Sequence, residues 1–157
     1  MKKLKLTKGY IALVDDEDFN WLNQWKWSAD KDGYAFRSIK KVENGKRTCI
    51  KMHRQIMNAD KGQDVDHINH IAYDNRKSNL RLCSRTENLF NMRKTRGTSI
   101  FKGVSWWKRD KCWEVKIRVN GKTKKIGYFK NERHAAMAYD IWAKEIYGKF
   151  AVVNFNI

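Results

Sequence analysis

Apolar positions recur along this chain first with the period of strands and only in places with that of helices. Residues 10–14 (YIALV) make a brief apolar run that reads as a strand. Asp15 to Asp18 follow, acids that suit an N-cap and a helix N-terminus, and lead into FNWLNQW. Asp32-Gly33, Asn44-Gly45 and Asn120-Gly121 each separate alternating segments. Such pairs favour hairpins, because both central residues take positive φ. WKWSA, GYAFRSIKKV and KRTCIKM are therefore expected as a meander, followed by a short helix from about His53 to Asn58.

The stretch 64–93 is organised differently. DVDHI reads as a strand that enters a loop rich in Asn, Asp and His, and Leu80 to Cys83 as the returning strand. Ser84 and Glu87 have the spacing of a capping box, so a helix is expected from about Arg85 to Met92. NMRKTRGTS carries no apolar periodicity and reads as a basic linker. Beyond Ile100, FKGVSWW, CWEVKIRV and TKKIGYF alternate as three strands. Asn131 is the expected N-cap of a closing helix, with Ala135, Ala138, Tyr139, Trp142 and Ile146 on one face.

The fold class implied is α+β: a β-meander and a ββα unit over residues 1–92, with its core at 51–92, a basic linker at 93–99, and a three-stranded antiparallel sheet packed on one helix over 100–157. The 157 residues suffice for two small domains.

Charge then narrows the function. The chain carries +17, and both halves contribute: residues 1–98 hold 21 Lys and Arg against 12 Asp and Glu, and residues 99–157 hold 13 against 5. A surplus on both halves is self-repulsive unless a polyanion neutralises it, which points to nucleic acid. Cys49, Cys83 and Cys112 are odd in number and widely spaced, unlike a zinc knuckle or a disulfide framework. No signal-peptide core follows MKKLKL, and no run reaches membrane-spanning length. A cytoplasmic protein with no membrane, small-molecule or protein partner is expected.

Asp66 and His67 end one strand, Asn79 precedes the next, and Asn88 falls in the first turn of a capped helix. MHR at 52–54, VDHIN at 65–69, DNRKSNLRL at 74–82 and SRTENLFN at 84–91 resemble the HNH nuclease family, most closely the ββα-metal homing endonucleases of phages. The resemblance implies a metal-dependent DNA endonuclease of homing or mobile-element type. In it Asp66 and Asn88 bind one magnesium or manganese ion, His67 is the general base, and Asn79 holds the imidazole. The chemistry suits those residue types: imidazole accepts a proton near neutral pH, and carboxylate and amide oxygens are hard ligands. Asn88 stands where the family's name has His, which disfavours zinc. His53 is expected to pack under the site, His70 to be exposed, and His134 to have no role.

FKGV at 101–104, WEVKIRVNGKTKKIGYF at 113–129, AAMAYD at 135–140 and VVNF at 152–155 resemble the plant APETALA/ethylene-response-factor DNA-binding domain, which is also found fused to phage HNH nucleases. That resemblance implies a sheet lying in the major groove of double-stranded DNA. Lys116 and Arg118 share one face of their strand, and Lys102, Trp107, Arg109, Thr123 and Lys125 join them. Arg118 is the candidate for a bidentate guanine contact. Lys102, Ser105 and Lys116 replace Arg, Arg and Glu of the plant pattern, so the plant target sequence does not carry over. Two other readings stay open: a DNA-binding regulator whose HNH module is inactive, and an RNA-associated protein.

Overall fold

A computed structural model describes residues 1–40, 47–92 and 96–155 of the chain. They divide into two units, Met1–Asn88 and Leu89–Ile157, each with its own core. Helical and extended elements mix in both, as an α+β chain requires.

The first unit opens with β1 (Lys2–Lys5) and β2 (Ile11–Val14), paired antiparallel with Lys2 opposite Val14. The basic opening hides this strand in the sequence, because Leu4 is the one residue of β1 that enters the core. α1 (Asp16–Leu22) follows. Asp15 precedes it in extended conformation but makes no side-chain cap. Its Oδ2 instead accepts from the Lys77 backbone NH at 2.7 Å.

β3 (Ser28–Ala29), β4 (Ala35–Lys40) and β5 (Arg47–Lys51) form an antiparallel sheet in that order. The meander is present, though its first strand is shorter than expected. At the β3–β4 turn only Gly33 has positive φ, and Asp32 does not. The Asp30 carboxylate shapes this turn, accepting from the backbone NH groups of Asp32 and Tyr34. The expected Asn44-Gly45 turn lies outside the described residues. Behind the sheet Trp27 is 1% exposed, and its indole NH donates to Leu22 O at 2.8 Å, so burial leaves no polar atom orphaned.

α2 (Met52–Ile56) leads to β6 (Asp64–His67), which pairs antiparallel with β7 (Leu80–Cys83). α3 (Arg85–Phe90) follows. Its capping box is formed: the Ser84 backbone NH donates to Glu87 Oε2 at 2.7 Å, and the Glu87 NH to Ser84 Oγ at 3.2 Å.

In the second unit β8 (Val104–Trp107), β9 (Cys112–Val119) and β10 (Lys122–Phe129) form an antiparallel sheet with β9 central. Asn120 and Gly121, with φ of 49° and 77°, make the two-residue turn between β9 and β10. α4 (Glu132–Tyr147) starts at Asn131, whose Oδ1 accepts from the NH groups of Arg133 and His134. Its buried face is Ala135, Ala136, Tyr139, Asp140, Ala143 and Tyr147. Trp142, expected inward, is 37% exposed beneath the Lys124 ammonium. The rotation follows from Asp140, which accepts from the NH groups of Asn154 and Phe155 and from the Asn154 amide, tying the C-terminal tail to the helix.

Gly103 has φ of 77°, and a Cβ there would lie 1.9 Å from the Tyr139 ring. Only glycine permits that approach. The second unit begins before the expected linker at 93–99. Phe90 stacks on Tyr147 at 3.9 Å, and Thr98 Oγ1 accepts from the Trp106 NH.

Candidate functional site

β6, the first turn of α3, the β3–β4 turn and the junction of β5 with α2 line a pocket of about 330 Å³. Asp66, His67 and Asn88 line it together, so three of the four singled-out residues converge. Tyr34, Lys51, His53 and Asp64 line it as well.

His67 ends β6 and is 5% exposed. Burial holds its pKa below the usual imidazole range, opposed by the Asn75 side chain and by the charges of Asp66 and Asp74. A neutral ring results, the form that can accept a proton. His53 packs against it, as expected, with ring centroids 5.1 Å apart. Burial, and then the charge of His67, press the His53 pKa down to about 3.

Asp66 stands directly across from Arg81 in the β6–β7 register. Arg81 grips one carboxylate oxygen twice, through Nε at 2.8 Å and Nη2 at 2.6 Å. Both side chains are largely buried, which is tolerable only as a pair. Asn88 is carried in by α3, and its Nδ2 donates to Asp64 Oδ2 at 2.9 Å. That bond, with burial opposing it and Arg85 assisting, holds the Asp64 carboxyl below its ordinary range.

Asn79 is placed differently from the expectation. Its Nδ2 donates to Asp74 O at 2.8 Å, and its Oδ1 accepts from the Asn69 NH at 3.0 Å. Both bonds go to the backbone of the β6–β7 loop, so the direct hold on the imidazole is corrected to a hold on the loop. Asn75 is fully buried and anchored by its NH to Leu13 O at 2.8 Å, and its side chain opposes burial in holding the His67 pKa up. Asp74 completes the frame, bound by Arg76 through two contacts of 2.7 Å and by the Asn69 amide at 2.8 Å. His70 is half-buried with φ of 62°, rather than exposed, and His134 is exposed.

The donor set fits a hard divalent ion. A carboxylate at 66 and an amide at 88 face one pocket, and no cluster of three or more His, Cys, Asp or Glu occurs among the described residues. An ion held by those two side chains would take the rest of its coordination shell from water and phosphate.

In the second unit Lys116 and Arg118 are exposed on β9, while Val115 and Ile117 are buried behind them. Thr123 lies opposite Arg118, and Lys125 opposite Lys116. Trp107 gathers the Lys116 ammonium and Arg109 guanidinium over its ring, at 5.9 and 5.6 Å. Lys102 does not join them. Its Nζ donates to Phe90 O at 2.6 Å, and burial lowers its pKa to about 8. Sequence reasoning missed Glu114, 5% exposed and paired with Lys116 at 2.7 Å, and Tyr128, whose ring lies 6.2 Å from that of Trp107. The irregularity between Lys125 and Gly127 shifts the alternation and brings Tyr128 opposite Glu114 on this face, from which strict alternation with Thr123 and Lys125 would have turned it away.

Comparison with known proteins covers the same segment. An uncharacterized HNH endonuclease of Acanthamoeba polyphaga mimivirus is 29% identical over 153 residues, which cover 94% of this chain and 76% of that protein. Residues 58–90, from the end of α2 through α3, match the HNH endonuclease family. The segment that carries Asp66, His67 and Asn88 is thus similar to HNH endonuclease domains, and the enzyme is a nuclease.

Proposed function

We propose that this protein is a metal-dependent endonuclease of homing or mobile-element type that hydrolyses phosphodiester bonds in double-stranded DNA. The convergence of Asp66, His67 and Asn88 on one pocket carries the reading. His67, kept neutral by burial, takes the proton of the attacking water. Asp66 and Asn88 hold magnesium or manganese, with Arg81 fixing the carboxylate. When bound, the ion supplies positive charge at the phosphate and at the departing 3′ oxygen. Asn79 acts at one remove, by setting the loop that carries Asn75 against the imidazole. The exposed face of β8–β10, through Trp107, Arg109, Lys116, Arg118, Thr123 and Lys125, binds the duplex, and its basic and aromatic composition supports that role. Incubation with supercoiled plasmid, with magnesium or manganese and with EDTA, tests the proposal. Metal-dependent nicking or linearisation is expected. Binding without cleavage under any divalent ion would favour the regulator reading instead.

A further inference from the structure

The two ends of the Asn88 amide are opposite in kind. Its NH2 group only donates, and its carbonyl oxygen is the end able to ligate a hard cation. Rotation of the terminal torsion could present either end to the pocket. Here Nδ2 donates to Asp64 Oδ2 at 2.9 Å. Reversed, the amide would set its oxygen against a carboxylate oxygen at that distance, and two acceptors repel. Asp64 is well placed for this control. It begins β6 two residues ahead of Asp66, so the two carboxylates project to the same side of the strand. Asn88 is held in register by its own NH, which donates to Ser84 O at 3.0 Å within the capped first turn. Arg85 reaches the same Asp64 oxygen at 3.3 Å but is 76% exposed, so its pull is screened.

We infer that Asp64 is a positioning residue for metal binding: its carboxylate orients the Asn88 amide so that the carbonyl oxygen is offered to a divalent cation beside Asp66. The inference rests on the proposed reading of Asn88 as a ligand.

The test uses the full chain and Mn2+ alone, with affinity read from water-proton relaxation enhancement and the fold of each variant checked by thermal unfolding. Asn88→Ala and Asp64→Ala are each expected to weaken Mn2+ binding about tenfold, the usual lower effect of losing a ligand's support. Asp64→Asn stays close to wild type, because its own carbonyl oxygen still accepts from Asn88. Asp64→Ala combined with Asn88→Asp recovers affinity, since a carboxylate offers an oxygen at both ends and needs no orienting group. A purely structural role for Asp64 would give no such recovery. Wild-type affinity in Asp64→Ala, or equal losses in Asp64→Asn and Asp64→Ala, or no recovery in the double variant, would overturn the inference while leaving Asn88 as a ligand. An unchanged affinity in Asn88→Ala would instead overturn the ligand reading itself, and this inference with it.

Discussion

The rings of His53 and His67 stand edge to face, 5.1 Å between centroids, with Tyr34 against both at 5.4 and 5.5 Å. Two imidazolium charges that close, away from water, would repel strongly, so the pocket favours the neutral pair.

Stability should therefore depend on pH in a defined direction. In the unfolded chain His53 takes a proton near its ordinary value of 6.5, and in the folded chain only near 3. Between those values the unfolded state binds more protons, so its contribution is complete above 6.5 and drains away as pH falls toward 3. Urea unfolding of wild type from pH 7.5 to 4.5 should lose up to about 1.4 kcal/mol per pH unit from this residue. His53→Phe should flatten that slope, and parallel slopes for the two proteins would refute the assignment.

His67→Ala should abolish cleavage while duplex affinity stays nearly unchanged, because a general base lowers the barrier and adds little to docking. Paired gel-shift and plasmid assays with manganese present make the comparison. Full cleavage by the variant would remove His67 from the mechanism.

Arg81→Met removes the guanidinium that Asp66 meets where its side chain is 7% exposed. Breaking a buried pair from one side should cost about 3 kcal/mol in urea unfolding. Adding Asp66→Asn should restore much of that stability but no activity, which separates the structural share of the pair from its share in the site.

Much of the local structure could be read from the sequence because its determinants are local. The Ser84–Glu87 box and the Asn131 cap need only residues three apart, and the inside-outside alternation of β9 needs only period two. The partners of the site residues were hidden for the opposite reason. Arg81 meets Asp66 only once the β6–β7 register is known, and Tyr34 reaches His67 from a hairpin 33 positions earlier in the chain. Asn79 stands out only through the family resemblance, and its bonds to the loop backbone are visible only in the fold. The inward turn of Asp140 likewise depends on a tail fourteen residues away.

Gly103→Ala should destabilise the second unit by about 2–4 kcal/mol, combining the cost of left-handed φ with overpacking against Tyr139. Differential scanning calorimetry would show a lowered transition. An unchanged thermogram would mean that the ring yields at no cost.

Arg118→Ala should weaken a preferred duplex by roughly 1–3 kcal/mol and leave a scrambled one little affected, whereas Lys116→Ala should weaken both alike. Titrations at several salt concentrations would also give the number of phosphates neutralised, at a log–log slope of about −0.9 for each. Equal losses on both duplexes for Arg118→Ala would reduce it to a phosphate contact.

The distribution of thiols has a practical side. Cys83 and Cys112 are buried, and burial pushes the Cys83 thiol up to about 11, whereas Cys49 is exposed on β5. A maleimide fluorophore added to the native chain should couple at Cys49 alone. Cys49 stands two residues from Lys51 at the wall of the pocket, so a single dye there would report an arriving nucleic-acid strand through a change in its surroundings. Unaltered protein could thus report its own substrate by a change in emission, in real time and before any bond is cut.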